Sequence, residues 1–324
     1  MTQQSLLQIR RSILSAGLVG ALCPLWAQSS LGNLSTPIIS TGSPGSSMDY
    51  LARALAEQFS MRPGGTYTVE NTQAAGGAVA AKALLSRNAG SALLVAHSGL
   101  LCTYPLLNAN GLTFHPTDDL VPVGVPTGTP MFVVTGRDSG IGNAAQLRAF
   151  RGQELVYAAG QMGASGHLGG LLFIDAIKAK PVPVFYTKNG QALLDVAENR
   201  VSLGVFSWQA ISALAEAGKI SVLCVLSDRR VPFAAHLATA LELGIDVSIE
   251  GWVGLFTRQG TSELILQGYS NALDEFMSGP SVARFLGFGG LTKRHIRRPE
   301  AAAFIRKEID RYAVLLKRYN MGKS

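Results

Sequence analysis

The chain has 324 residues, 47% of them hydrophobic and only 15% charged, with a formal net charge of +7. That composition supplies ample core and excludes a highly charged disordered chain. No stripe of lysine and arginine with interleaved aromatics occurs, so nucleic acid is not an expected partner. The length suits two domains of ordinary size.

Residues 1–28 read MTQQSLLQIRRSILSAGLVGALCPLWAQ. The pair Arg10–Arg11 precedes an apolar run from Ser12 to Leu25. That run is shorter than the roughly 20 residues of a spanning helix. Ala27 offers a small residue for cleavage, so residues 1–27 are expected to be a signal peptide of the Sec or twin-arginine type. Without Arg10 and Arg11, the +7 becomes +5 for the mature chain. The expected compartment is the periplasm. Beyond the leader only Cys102 and Cys224 remain, in apolar contexts that predict buried free thiols rather than a disulfide. No metal-ligand spacing is present, and no cofactor is expected.

In chain order, TPIIST (36–41) reads as a strand and leads through TGSPGSS into a helix over 48–60. That helix places Leu51, Ala54, Leu55 and Phe59 on one face. TYTVEN (66–71) alternates as a strand. QAAGGAVAAKALLSR (73–87) opens on glycines and becomes a helix. SALLVAHS (91–98) is a buried strand, and LVPVGVP (120–126) and PMFVVTG (130–136) are two more. A second series follows: a helix at 143–151, a strand at 154–160, and a glycine-rich turn into a helix at 161–178. Strands at 181–187, 201–207 and 220–227 then alternate with helices at 190–199 and 211–218. WVGLFTR (252–258) is a strand, and helices are expected at 262–278 and 298–320. KRHIRRPEAA (293–302) reads as a basic, solvated loop before the last helix. The alternation predicts two α/β domains with mostly parallel sheets and ligand-binding turns at the carboxyl ends of their strands.

Four glycine- and serine-rich turns lie at such strand ends: 42–47, 74–77, 97–99 and 160–166. A helix start leaves backbone N–H groups free and carries partial positive charge, so it can hold a carboxylate without an arginine. Gly45 would permit close approach, Ser46 and Ser47 would add hydroxyls, and Asp49 would fix the loop. A plain serine cap explains the same residues. GQMGASGHL (160–168) has the same character, without a dinucleotide fingerprint. His97 and His167 each read either as structural hydrogen-bonders or as ligand contacts. GASGH fails the nucleophile-elbow pattern, because His167 stands where its last glycine belongs. Asp118–Asp119 read as a solvated turn. Phe206 and Trp208 suit core packing; if they reach the cleft, they form an apolar wall with an indole donor.

The chain resembles the extracytoplasmic solute receptors of tripartite tricarboxylate transporters, the Bug proteins. The resemblance rests on PGSSMD (44–49), ENTQAAGG (70–77), YAAGQMGASGHL (157–168), VFYTK (184–188) and WVGLF (252–256). It implies a type II periplasmic-binding fold with a cleft between two domains, 28–128 plus 231–324 and 129–230. It also implies a monomeric receptor, not an enzyme, working with membrane permease subunits. The ligand contacts it implies are Pro44, Gly45, Ser46, Ser47, Asp49, Gly163, Ala164, Ser165 and His167, with Ser98 and Gly99 at a strand end. Gly76, Gly77, Tyr186, Phe206 and Trp208 complete the expected lining. Ala159, Ala164, Ser202 and Phe206 replace polar family residues, which predicts a carboxylate with an apolar or aromatic body. The rival readings are an exported serine hydrolase using Ser165 or Ser98 with His167, and a ligand-sensing partner of a membrane kinase.

Overall fold

The computed structural model describes residues 35–62, 65–108 and 114–321. The expected signal peptide, Cys23 included, lies outside the described residues. Residues Ser35–Ser324 form one compact unit.

The chain begins β1 (Thr36–Ser40), α1 (Ser47–Ser60), β2 (Tyr67–Asn71), α2 (Ala78–Leu85) and β3 (Leu93–His97). A π-type turn, Gly99–Thr103, runs into α3 (Tyr104–Leu107). Then come β4 (Leu120–Gly136), α4 (Ala144–Leu147), β5 (Glu154–Gly160), α5 (Ser165–Ala176), β6 (Lys180–Phe185) and α6 (Asn189–Ala197). The series continues with β7 (Leu203–Ser207), α7 (Trp208–Glu216), β8 (Ile220–Val225) and β9 (Glu250–Arg258). It closes with α8 (Glu263–Ser278), α9 (Val282–Gly289), β10 (Thr292–Arg297) and α10 (Arg298–Arg318).

The strands order as β2-β1-β3-β9-β4-β7-β5-β6, with β8 and β10 also pairing β4. The first half of β4 belongs with β9 and β10, the second half with β7 and β8. The two strands expected at 120–126 and 130–136 are therefore one strand of 17 residues. Pro122, Pro126 and Pro130 lack N–H groups and suggest breaks. Pro122 and Pro126 fall at register shifts between Pro122 and Gly124 and between Gly124 and Thr127, and Pro130 stays in register opposite Glu250. The sheets are also less parallel than expected. β1–β2, β1–β3, β5–β6 and β5–β7 are parallel, while every pairing of β4 and β9 is antiparallel.

The basic segment expected as a loop contains β10. Its alternation is legible after the fact: Arg294 faces Glu250, whereas His295 and Arg297 face Asp274 of α8. One apolar core runs through both halves. Ile39, Leu94 and Trp252 of the first half and Tyr157, Phe173 and Leu203 of the second are fully buried in the same cluster. Two smaller clusters seal the outer faces, one under α1, α8 and α9, the other under α6 and α7. The last helix crosses both halves: Glu308 accepts from buried Trp252 Nε1 at 3.1 Å, and Arg318 pairs with Asp175 of α5.

Cys102 and Cys224 are free and buried, as expected from their apolar context. Burial pushes both thiols up, Cys224 to about 12. Among the described residues, no helix is long and apolar enough to cross a membrane and no side-chain group could hold a metal ion.

Candidate functional site

The loop between β1 and α1 is built by α1 itself. Ser46 caps the helix, its hydroxyl accepting from the Asp49 N–H at 3.3 Å. The Asp49 carboxylate, buried at the first turn, accepts from the Gly45 N–H at 2.9 Å, Asn71 Nδ2 at 2.9 Å and Arg53 Nε at 3.0 Å. Burial pushes this carboxyl up, but the hydrogen bonds from Arg53, Gly45 and Asn71 outweigh it and hold the group below its usual range. Asp49 thus holds the loop, as its place just inside the helix predicted. Ser47 is buried too, donating to the Gly289 carbonyl at 3.4 Å. Pro44 and Gly45 stay exposed, and nothing lies within 4 Å of where a Gly45 side chain would start.

The 74–77 turn abuts this loop. A Cβ on Gly77 would stand 3.0 Å from Thr41, and one on Gly76 would meet Tyr104 at 3.4 Å and Gln161, from the other half, at 3.9 Å. Gly163 also approaches the first half: a Cβ there would lie 2.5 Å from Leu107 and 3.2 Å from Thr103. Its φ of +76° adds a second reason for glycine.

Ser98 closes β3 and Ser165 opens α5, and both hydroxyls converge on Gly251. A Cβ on Gly251 would sit 3.0 Å from Ser165 Oγ and 3.6 Å from Ser98 Oγ. Ser98 is buried and accepts weakly from the Trp252 N–H at 3.4 Å. Gly99 begins the π-type turn, whose Thr103 hydroxyl donates back to the Gly99 carbonyl at 2.9 Å. The fully buried Tyr312 hydroxyl lies beside Ser98 and Ser165, and burial pushes it up to about 12. It makes no hydrogen bond of ordinary geometry with any described residue. Gly251 and Tyr312 were not singled out in the sequence. Their roles arise only when distant strands and α10 meet, although WVGLF pointed to the neighbouring positions.

The helix α5 starts at Ala164 with no side-chain cap. Its first-turn N–H groups, from Ser165 onward, have no intrahelical acceptor. His167 turns back over the loop: its Nδ1 accepts from the Gly163 N–H at 2.9 Å, and its ring meets Tyr157 and Phe185. Burial lowers it to about 4, so it is neutral at physiological pH. His97 does the same at its own turn, Nδ1 accepting from the Leu100 N–H at 3.3 Å, and burial lowers it to about 4. With Nδ1 of His167 facing a donor, no carboxylate among the described residues orients it, and the hydrolase arrangement is not assembled there.

Three other expected contacts have partners within the chain. The Tyr186 hydroxyl donates to Asp195 at 2.8 Å. Phe206 is buried in the core of the second half. Trp208 packs on Phe132 and Phe233 and presses its Cβ edge on Gly290 of the first half, while Gln209 Nε2 donates to the Phe288 carbonyl at 3.2 Å. Trp208 is therefore a contact between halves.

The geometry is that of two α/β halves touching along turns at strand ends, with two helix starts beside the contact. The model of the tripartite tricarboxylate transporter family receptor matches residues 51–321. The chain belongs to that receptor family. BugT of Bordetella pertussis is 26% identical over 276 residues, covering 83% of this chain and 84% of BugT. The TAR-I intergenic-region protein of Agrobacterium vitis is 27% identical over 290 residues, covering 87% and 83%. Among solved structures, Rpa4515 of R. palustris, with adipate, superposes with a TM-score of 0.81 at 24% identity, covering 89% of this chain and 98% of that one. The periplasmic binding protein BugD superposes with a TM-score of 0.76 at 22% identity, covering 90% and 99%. MatC of Rhodopseudomonas palustris, with bound malate, gives 0.73 at 22% identity, covering 87% and 98%. These superpositions establish the periplasmic-binding fold. Family membership makes the chain a solute receptor and not an enzyme.

Proposed function

We propose that this receptor captures a small carboxylate between its two halves in the periplasm and delivers it to the permease subunits of a tripartite tricarboxylate-type transporter. The observation carrying this reading is the convergence of Ser98 and Ser165, one from each half, on Gly251. Each stands at a turn that can offer N–H and O–H donors to an anion, and the helix starts of α1 and α5 add partial positive charge. Structural relatives solved with adipate and with malate support a carboxylate. The halves fall at 28–128 plus 231–324 and 129–230, the leader is removed on export, and the receptor acts as a monomer.

The ligand carries an apolar or aromatic body. Large exposed apolar side chains stand on both halves: Met162 and Phe185 on one, Phe288 of α9, 71% exposed, on the other. Exposed apolar surface of this kind suits a hydrocarbon body better than a second polar group.

Calorimetric titration with adipate, malate, benzoate and phenylacetate tests the reading. At least one carboxylate should bind, and Ser165→Val should weaken it about tenfold, the worth of one hydrogen bond to a charged group. Binding of sugars or cations alone would overturn it, as would carboxylate binding indifferent to Ser165→Val.

A further inference from the structure

A cavity of about 780 Å³ lies between the segment that follows β8, the end of α9 and strand β10. It shares no lining residue with the turns described above, and its origin is independent of the reading given to them. Its floor and walls include Val231, Phe233, Leu286 and Leu291. Four cations line it: Arg229, Arg230, Lys293 and Arg294. Arg230 is paired with Glu242 and Arg294 with Glu250. Two carboxylates line it, Glu250, which is paired with Arg294, and Asp228; Arg229 and Lys293 are exposed and have no ion-pair partner among the described residues.

Two buried polar atoms of this lining have no hydrogen-bond partner: Ser227 Oγ, on a residue only 3% exposed, and Arg294 Nε. Native structures leave few such groups, and each calls for an acceptor. Strand β10 is irregular here. Its register with β4 shifts between Lys293 and Ile296, and His295 takes a φ of +49°. A bulge of this kind re-aims the side chains around it. Lys293 and Arg294 line the cavity together with the basic pair at 229–230, while His295 and Arg297 turn to Asp274.

We propose that this cavity is a second ligand site, taking an organic anion with an aliphatic or aromatic body. The unpaired cations and the Ser227 hydroxyl receive the anionic head, and Phe233, Leu286 and Leu291 receive the body. The volume is within the range of small-molecule sites. The site joins the segment that leaves the second sheet to elements of the first, so an occupant bridges the two halves and its binding is coupled to their relative position.

Octanoate is the probe. Calorimetry on the wild-type protein should show octanoate binding that Arg229→Ala/Lys293→Ala weakens by about tenfold, the loss of charge-assisted contacts. Ala283→Trp, at an exposed lining position, should block it without touching a charge. Ser165→Trp, which obstructs the turns near Gly251, should leave this component in place. Thermal melts confirm that each variant is folded. The proposal is overturned if octanoate does not bind, if both groove variants bind it normally, or if Ser165→Trp alone removes it. It is also overturned if acetate binds equally well, since the apolar wall would then contribute nothing, or if only anionic vesicles bind, since the surface would then be a membrane contact.

Discussion

The Gly163 backbone N–H donates to His167 Nδ1 at 2.9 Å, across the first turn of α5. The same device recurs at α1, where the Gly45 N–H donates to Asp49 at 2.9 Å. In both loops a glycine of positive φ is tied to an acceptor four residues on. Each loop is thus fixed by its own helix, and the N–H groups left for an anion are those just after the caps.

The first prediction concerns pH. Burial lowers His167 and His97 to about 4, whereas an unfolded histidine titrates near 6.5. The unfolded chain then binds more protons between these values, so stability is full above about pH 6.5 and falls as pH drops toward 4. For fully buried His167 the loss is roughly 3 kcal/mol. Urea unfolding from pH 4 to 8 should show this slope, and His167→Asn, which keeps an acceptor for Gly163 but does not titrate, should flatten part of it. A slope unchanged by His167→Asn contradicts the assignment.

The second concerns the carboxylate under the first loop. Asp49→Ala leaves the Gly45 N–H and the Asn71 amide without their acceptor and should cost about 2–3 kcal/mol in urea unfolding. Because the carboxyl is held below its usual range, its contribution is present above about pH 4 and lost as pH falls further. Carboxylate affinity should drop together with stability.

Gly251 supplies a third test. Gly251→Val places branched carbon where the Ser165 and Ser98 hydroxyls converge. The variant should remain folded, weaken carboxylate binding at least about tenfold, and show a larger radius of gyration by solution scattering. Unaltered affinity would mean that the convergence plays no part in binding.

The thiols supply a fourth. Cys102 and Cys224 are buried and raised by desolvation, so a thiol reagent at pH 8 should label neither in the native protein and both in denaturant. Rapid native labelling would show that the core opens locally.

Local patterns carried much of this architecture. The helix after TGSPGSS was legible because turn chemistry and apolar spacing agree within fifteen residues. The run ELVYAAG followed by glycines likewise announced a strand and a helix start. Strand β10 was not legible, because TKRHIR is basic and half-exposed, and its pairing is decided by β4, more than 160 residues earlier. The merger of two strands into β4 was hidden by its prolines, which weigh against a strand until the neighbours accept register shifts. In the site, glycines and serines were found by type, but the tasks of Asp49, His167 and Tyr186 depended on which acceptor or donor came nearest. The i, i+4 spacing of Gly45–Asp49 and Gly163–His167 was the available clue.

Strand β4 gives the molecule a mechanical character. A movement between halves cannot be taken up by a slack linker there, because the strand has hydrogen-bonded neighbours along almost its full length. It falls instead on the stretch around Pro130 and Met131, where β4 passes from its pairing with β9 to its pairing with β7. On the reading proposed above, a receptor hinged in this way would behave as a sprung clip, with the stiffness of that continuous ribbon opposing any change of angle between the halves.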